Sequence, residues 1–138
     1  MGDINDHINC NETDFIINHS DNVLDSFLPK NYIADSMQVL RNTQIPQTTN
    51  SYGKSLLEIC TSSQLRILNS RTIGDSVGKA TYHNYNGTTI NDYCICSASF
   101  LNNILNFQVG DFFPTMSDHC PITVNFFHKL KRLQSILH

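Results

Sequence analysis

Polar residues dominate the first third of the chain, and apolar ones surface there only in short islands, Phe15-Ile16-Ile17 and Phe27-Leu28-Pro29. Residues 1–10 read as the end of a strand running into a loop, and residues 11–50 as a long irregular region rich in Asn, Asp, Ser, Thr and Gln. A connection of that length inside a compact domain is usually a functional or flexible loop. From residue 50 onward the pattern becomes periodic. Leu56, Leu57 and Cys60, followed by Ser63 and Gln64, predict an amphipathic helix over about residues 52–63. Residues 65–69 read as a short strand, 72–79 as a turn marked by Gly74 and Gly78, and 81–85 as an alternating strand. Asn86-Gly87 follows, a strong hairpin signal, so residues 88–96 are expected to return as the partner strand. Ser97 to Ser99 can cap a short helix through about residue 103. Residues 104–112 read as strand, 113–116 as loop and 121–127 as the last strand. Leu130, Leu133, Ile136 and Leu137 share one side of a helical tail over 128–138. The pattern is an α/β (α+β) mixture dominated by strands, with a hairpin at its centre.

Composition narrows this picture. A chain of 138 residues, 40% of them hydrophobic, reads as one globular domain able to bury a core. The net charge of −3 argues against a free-standing basic nucleic-acid binder. Seven of the twelve acids fall in the first 35 residues, opposed there only by Lys30. No Lys or Arg occurs between Ala80 and Phe127; then Lys129, Lys131 and Arg132 arrive together. That basic tail suits either a solvated helix face or a phosphate backbone. The five cysteines are odd in number and lack zinc-type spacing, although Cys94 and Cys96 share one strand face. They are read as reduced thiols of an intracellular protein. The sequons at Asn11, Asn18 and Asn86 are accordingly expected to be chance matches, with no signal peptide ahead of them. No apolar run is long enough to span a membrane.

Four places combine acids, amides or histidine at strand ends. In Gly2-Asp3-Ile4-Asn5, strand geometry puts Asp3 and Asn5 on one face. A carboxylate beside an amide can hold and deprotonate a water, although both residues are also ordinary turn formers. Asp92 stands mid-strand, where Asp is depleted. If buried it needs a partner such as His or Arg; otherwise it faces out from a solvated sheet edge. Asp118 and His119 are neighbours, and neighbours on a strand point to opposite sides. His119 therefore needs a different carboxylate, and Asp92 is the candidate. Such a pair would fix the imidazole tautomer and let His119 act on a phosphate or leaving group; the alternative is a structural histidine ahead of a strand. Last, Arg71 can contact a phosphate or cap a strand end, while Thr81 and Thr88 or Thr89 offer hydroxyls to support a site or line a groove.

The order of these features is more specific than any one of them. Gly2-Asp3-Ile4-Asn5 is followed by Asn50-x-Tyr52-Gly53-x-x-Leu56-Leu57-x-x-Cys60, Leu65-Arg66-Ile67-Leu68-Asn69-x-Arg71 and Gly74-Asp75-x-x-Gly78-Lys79-x-Thr81. Asp92-Tyr93 and Ser117-Asp118-His119-Cys120-Pro121-Ile122 complete the series. This succession resembles the C-terminal half of the endonuclease/exonuclease/phosphatase superfamily, which has the DNase I-like fold. Within it, the chain is most similar to the endonuclease domains of non-LTR retrotransposons. The resemblance implies that residues 1–127 form the C-terminal half of a four-layer β-sandwich flanked by helices, with mostly antiparallel strands, and that 128–138 is a basic tail. It further implies phosphodiester hydrolysis by an activated water with a divalent metal, Mg²⁺ or Mn²⁺. Asp3 matches the acid that activates the water, Asn5 the amide that orients it, and His119 the histidine on the scissile phosphate. Asp92 matches the acid that orients this histidine, and Asp118 an acid assigned to metal binding or phosphate support. The implied partner is DNA, in the nucleus, with a reverse transcriptase region in a parent polyprotein.

The chain also departs from that pattern. An asparagine, the main metal-binding glutamate and a tyrosine of the family's N-terminal half have no counterpart here, nor has the strand leading into Gly2-Asp3. Asn91 replaces a usually apolar residue. These departures imply a fragment inactive by itself. The alternatives are a non-catalytic binding or scaffold module of the same fold, or a phosphatase-type relative.

Overall fold

The computed structural model describes residues 2–3, 7–15, 39–43 and 45–129, with Gly2 and Asp3 known through their backbone. Asn5, the Phe27-Leu28-Pro29 island and residues 130–138 of the expected helical tail lie outside the described residues.

Helix α1, Ser51–Ser62, starts where the polar run ends because Asn50 caps it. The Asn50 side chain accepts from the backbone N–H of Gly53 at 2.8 Å and from that of His7 at 3.2 Å. One amide thus satisfies an orphan donor of the first turn and fastens the segment after residue 3 to the helix. Gly53 makes this approach possible, since a Cβ there would collide with the His7 carbonyl. Leu56, Leu57 and Cys60 pack with Ile8, Ile67, Ile90 and Tyr93 in one apolar cluster. Beyond the helix, Gln64 takes the left-handed conformation (φ 52°) that turns the chain into β2, Leu65–Ile67.

Among the described residues the strands form four two-stranded sheets, and every pairing is antiparallel. β1 (Gly2–Asp3) pairs with β5 (Asp92–Tyr93), and β2 with β6 (Ile95–Ser97). β3 (Tyr82–Asn84) pairs with β4 (Gly87–Thr89), and β7 (Ile104–Val109) with β8 (Ile122–Phe126). A 3₁₀ helix, Ala98–Asn103, links β6 to β7. The result is a mixed α/β structure of mostly antiparallel strands. A second apolar cluster of Leu68, Cys94, Phe107, Val109 and Cys120 lies under β7 and β8. Among the described residues no helix is long and apolar enough to cross a membrane.

Three departures from the sequence pattern have local causes. The expected return strand over 88–96 is broken into β4, β5 and β6, because each piece takes a different partner: β3, β1 and β2. The hairpin turns one residue earlier than Asn86-Gly87, with Tyr85 and Asn86 as the loop between paired Asn84 and Gly87. Asn84 Oδ1 accepts the Asn86 N–H at 2.8 Å, which closes the loop, and Gly87 takes up the positive φ of 140°. The region 11–50 holds no helix or strand among its described residues, yet it is not loose. Asp14 and Arg41 are buried, and Gln47 bonds the backbone of both Ile8 and Ile90.

Candidate functional site

β3 is the element that assembles the site. Thr81, just before it, donates its N–H to Thr89 and accepts from the N–H of Cys120 at 2.7 Å. His83 donates to the Asp118 carbonyl at 2.8 Å, and Tyr82 bridges antiparallel to His119. The segment 118–120 is therefore held as an added strand beside β3. On the other side of the site, the Thr81 hydroxyl accepts the N–H groups of both Asn91 and Asp92 at 3.0 Å. The Asn69 side chain donates to the Asp92 carbonyl at 2.9 Å and accepts the Cys94 N–H at 3.0 Å. Side chains thus do the work of strand neighbours where β5 is only two residues long.

Held this way, Asp92 is buried and its Oδ2 lies 2.9 Å from Nδ1 of His119. An ionised carboxylate only accepts, so Nδ1 carries the proton. Nε2 is then an acceptor in the neutral ring and a second donor in the imidazolium. The imidazole is 31% exposed and tilts over the Tyr82 ring at a centroid distance of 4.9 Å. Its backbone N–H donates to Ser117 Oγ at 3.0 Å. Asp118 makes no hydrogen bond to the ring, but its exposed Oδ1 stands 4.0 Å from Nε2. One carboxylate orients the imidazole from within; another flanks its outer nitrogen.

The structure brings the expected residues together selectively. Asp3 lies directly opposite Asp92 in the β1–β5 register, so its backbone is beside the pair. Asn91, the polar substitute, is buried, and its side chain accepts from the Thr89 hydroxyl at 2.8 Å. Arg71, expected at a phosphate or a strand end, instead clasps Asp14 with both terminal nitrogens at 2.7 and 2.9 Å in the interior. Thr81, whose hydroxyl could support a site or line a groove for substrate, is fully buried, and it does the former by accepting the Asp92 N–H. The reason in both cases is burial: neither group reaches solvent to meet a ligand.

Sequence reasoning passed over Asp14 and Arg41, and it gave no role of their own to Arg66 and Asn69, which it quoted only within longer runs. A charged residue within an apolar strand, as Arg66 is in β2, signals a buried partner. Asn69 showed only as a polar residue at the end of the expected strand 65–69.

The five thiols are free. Burial pushes Cys60 and Cys96 up to about 11, and it also raises Cys94 and Cys120. Cys120, next to His119 in sequence, is therefore a protonated packing residue and not a nucleophile activated by it. A polar cleft of about 640 Å³ opens between residues 7–11 and 43–48, with Thr89 on its wall, and does not include Asp92 or His119. Among the described residues no group of three His, Cys, Asp or Glu side chains is placed to hold a metal ion. No family model, curated protein or solved structure matches the chain.

Proposed function

We propose that the chain carries the histidine half of a phosphodiester-hydrolysing site of the DNase I-like endonuclease kind, of retrotransposon type, with DNA as substrate. One observation carries this reading. Asp92 and His119, 27 residues apart, meet at 2.9 Å with the backbone of Asp3 directly opposite Asp92. In this reading Asp92 holds the Nδ1 proton, so His119 turns Nε2 toward a phosphate oxygen. As an imidazolium it donates a hydrogen bond there and offsets the charge that develops during attack. Asp3, with Asn5, prepares the attacking water. Asp118 flanks Nε2, with its Oδ1 4.0 Å away.

On the same reading the small antiparallel sheets belong to the C-terminal half of a four-layer sandwich. The parent would be a nuclear polyprotein with a reverse transcriptase region. The described donors do not by themselves amount to a site for the Mg²⁺ or Mn²⁺ that the resemblance implies. The roles given to Asp3, Asp92 and His119 are therefore stated for these side chains alone. The second reading is a non-catalytic binding or scaffold module of the same fold, in which His119 makes a contact without chemistry.

Nicking of supercoiled plasmid by the purified chain, in Mg²⁺, Mn²⁺ or EDTA, separates the readings. The first reading expects at most weak hydrolysis from this chain, falling about 10²-fold or more in His119→Ala. Hydrolysis that survives His119→Ala overturns it. Plasmid binding that needs His119, without any nicking, supports the second.

A further inference from the structure

Asp92 stands on a two-residue strand held by side chains, the Thr81 hydroxyl on its N–H and the Asn69 amide on its carbonyl, and the two differ in what they span. The run 92–97 changes partners in the middle: β6 pairs with β2, β5 pairs with β1, and Cys94 between them belongs to neither strand. The main chain of β2 cannot cover this junction. Leu68 still donates its N–H to the Cys94 carbonyl at 2.8 Å, but Ser70 takes a left-handed conformation (φ 70°) and the chain peels away toward Asp75, whose carboxylate accepts the Ser70 N–H. At the point of departure the side chain of Asn69 continues the ladder. Its Nδ2 donates to the Asp92 carbonyl and its Oδ1 accepts the Cys94 N–H, at 2.9 and 3.0 Å, with the residue wholly buried.

We infer that Asn69 is a positioning residue for the Asp92–His119 pair: its amide stands in for a strand backbone and fixes the direction in which Asp92 presents its carboxylate to Nδ1. This rests on reading Asp92 and His119 as a working pair. The geometry asks for a donor and an acceptor on one short planar group. Leucine has a similar volume and supplies neither. An aspartic acid supplies both while protonated and loses the donor when it ionises.

The test is nitrogen-15 NMR of the histidine rings in the whole chain, with His119→Gln to assign the resonances. In the wild type the neutral His119 ring is expected as the Nδ1–H tautomer, with a downfield Nδ1 proton bonded to carboxylate. Asn69→Leu should lose that downfield proton and give a mixture of tautomers. Asn69→Asp should keep the downfield Nδ1 proton of the wild type at low pH, where the new carboxyl is protonated, and lose it as that group ionises. Leu57→Ala serves as a control that loosens the α1 cluster, and it should lower stability while leaving the His119 signals in place.

An Asn69→Leu chain that is less stable but keeps the wild-type His119 tautomer and downfield proton overturns the assignment. Should that variant fail to fold, Asn69→Asp decides: a His119 signature independent of the new carboxyl's ionisation overturns it equally. None of these readouts uses cleavage, so failure of the endonuclease reading and failure of this assignment are seen separately.

Discussion

Asp14 and Asp92 are both buried carboxylates, and each faces a nitrogen-bearing side chain at 2.7 to 2.9 Å. The Asp14 carboxylate is closed off from solvent. Its oxygens take both terminal nitrogens of Arg71 and the Ile67 N–H, while Arg66 and Arg71 lie 5.7 and 5.9 Å from the centre of the Phe15 ring. Arg41 joins them with bonds to the carbonyls of Asn9 and Glu12; burial, and then the charge of Arg71, lowers its pKa, against the opposing pull of Asp14. The pair at Asp92 is open on one side. Its imidazole is 31% exposed, and the outer nitrogen faces an exposed carboxylate. The first arrangement fastens the irregular 7–15 and 39–43 segments to β2. The second leaves a proton-bearing group turned outward with its tautomer chosen. A buried carboxylate with a nitrogen-bearing partner becomes a candidate site when that partner is itself partly exposed, as the His119 imidazole is.

The largest expected effect is on the closed pair. Asp14→Ala should cost about 3–5 kcal/mol in urea unfolding, because it leaves Arg71 charged and unpaired in the interior. A smaller loss would mean that Arg71 finds water or another acceptor, and the contrast would weaken. The double replacement Asp14→Leu with Arg71→Met should cost clearly less than the two single changes added together. Additive costs would show that the two groups do not act as a unit.

Asp92→Asn should cost less than Asp14→Ala, about 1–3 kcal/mol for a bond between charged groups, since His119 can turn to water. Its main effect should appear in the His119 tautomer. A loss equal to that of Asp14→Ala would make Asp92 a structural staple of the same kind.

A pH scan sharpens the contrast further. Burial first, and the charge of Asp14 second, raise Cys60 from 9.0 to about 11. Below pH 9 the thiol is protonated in both folded and unfolded chains, so its contribution to stability is fully present. As pH rises toward 11 the unfolded chain releases the proton first, and stability falls. Cys60→Ala should remove part of that fall, read from urea midpoints between pH 8 and about 11; an unchanged slope would place the titration elsewhere. The smallest effect is expected far from both pairs. Replacing Asn125, whose side chain bonds Asn106 across the exposed face of β7 and β8 at 2.7 Å, should cost about 0.2–1 kcal/mol.

The open pair was more legible in the sequence than the closed one, for physical reasons. Adjacent strand residues point apart, which ruled out Asp118 as the inner partner of His119, and a mid-strand Asp92 required a partner of its own. Those two local constraints converged. Helix α1 was legible as well, because Leu56, Leu57 and Cys60 sit at helical spacing and Asn50 precedes them. Asp14 gave no such signal. It lies in a polar, aperiodic stretch, and its partner Arg71 is 57 residues away in a turn. The break of 88–96 into three strands was hidden because alternation reports which face is apolar and not which neighbour supplies the hydrogen bonds. Partner exchange at Cys94 depends on Asn69 and on β1, both remote in sequence.

The proposed role of His119, oriented by Asp92, is to meet a phosphodiester. It is tested most directly by titrating the isotope-labelled chain with a short DNA duplex and following the His119 ring nitrogens and the backbone amides. Saturable shifts at His119 Nε2 and at the amides of Asp3, Asp92, Asp118 and His119, lost in His119→Gln, are the predicted result. Binding whose shifts fall elsewhere and leave His119 Nε2 unmoved would contradict it.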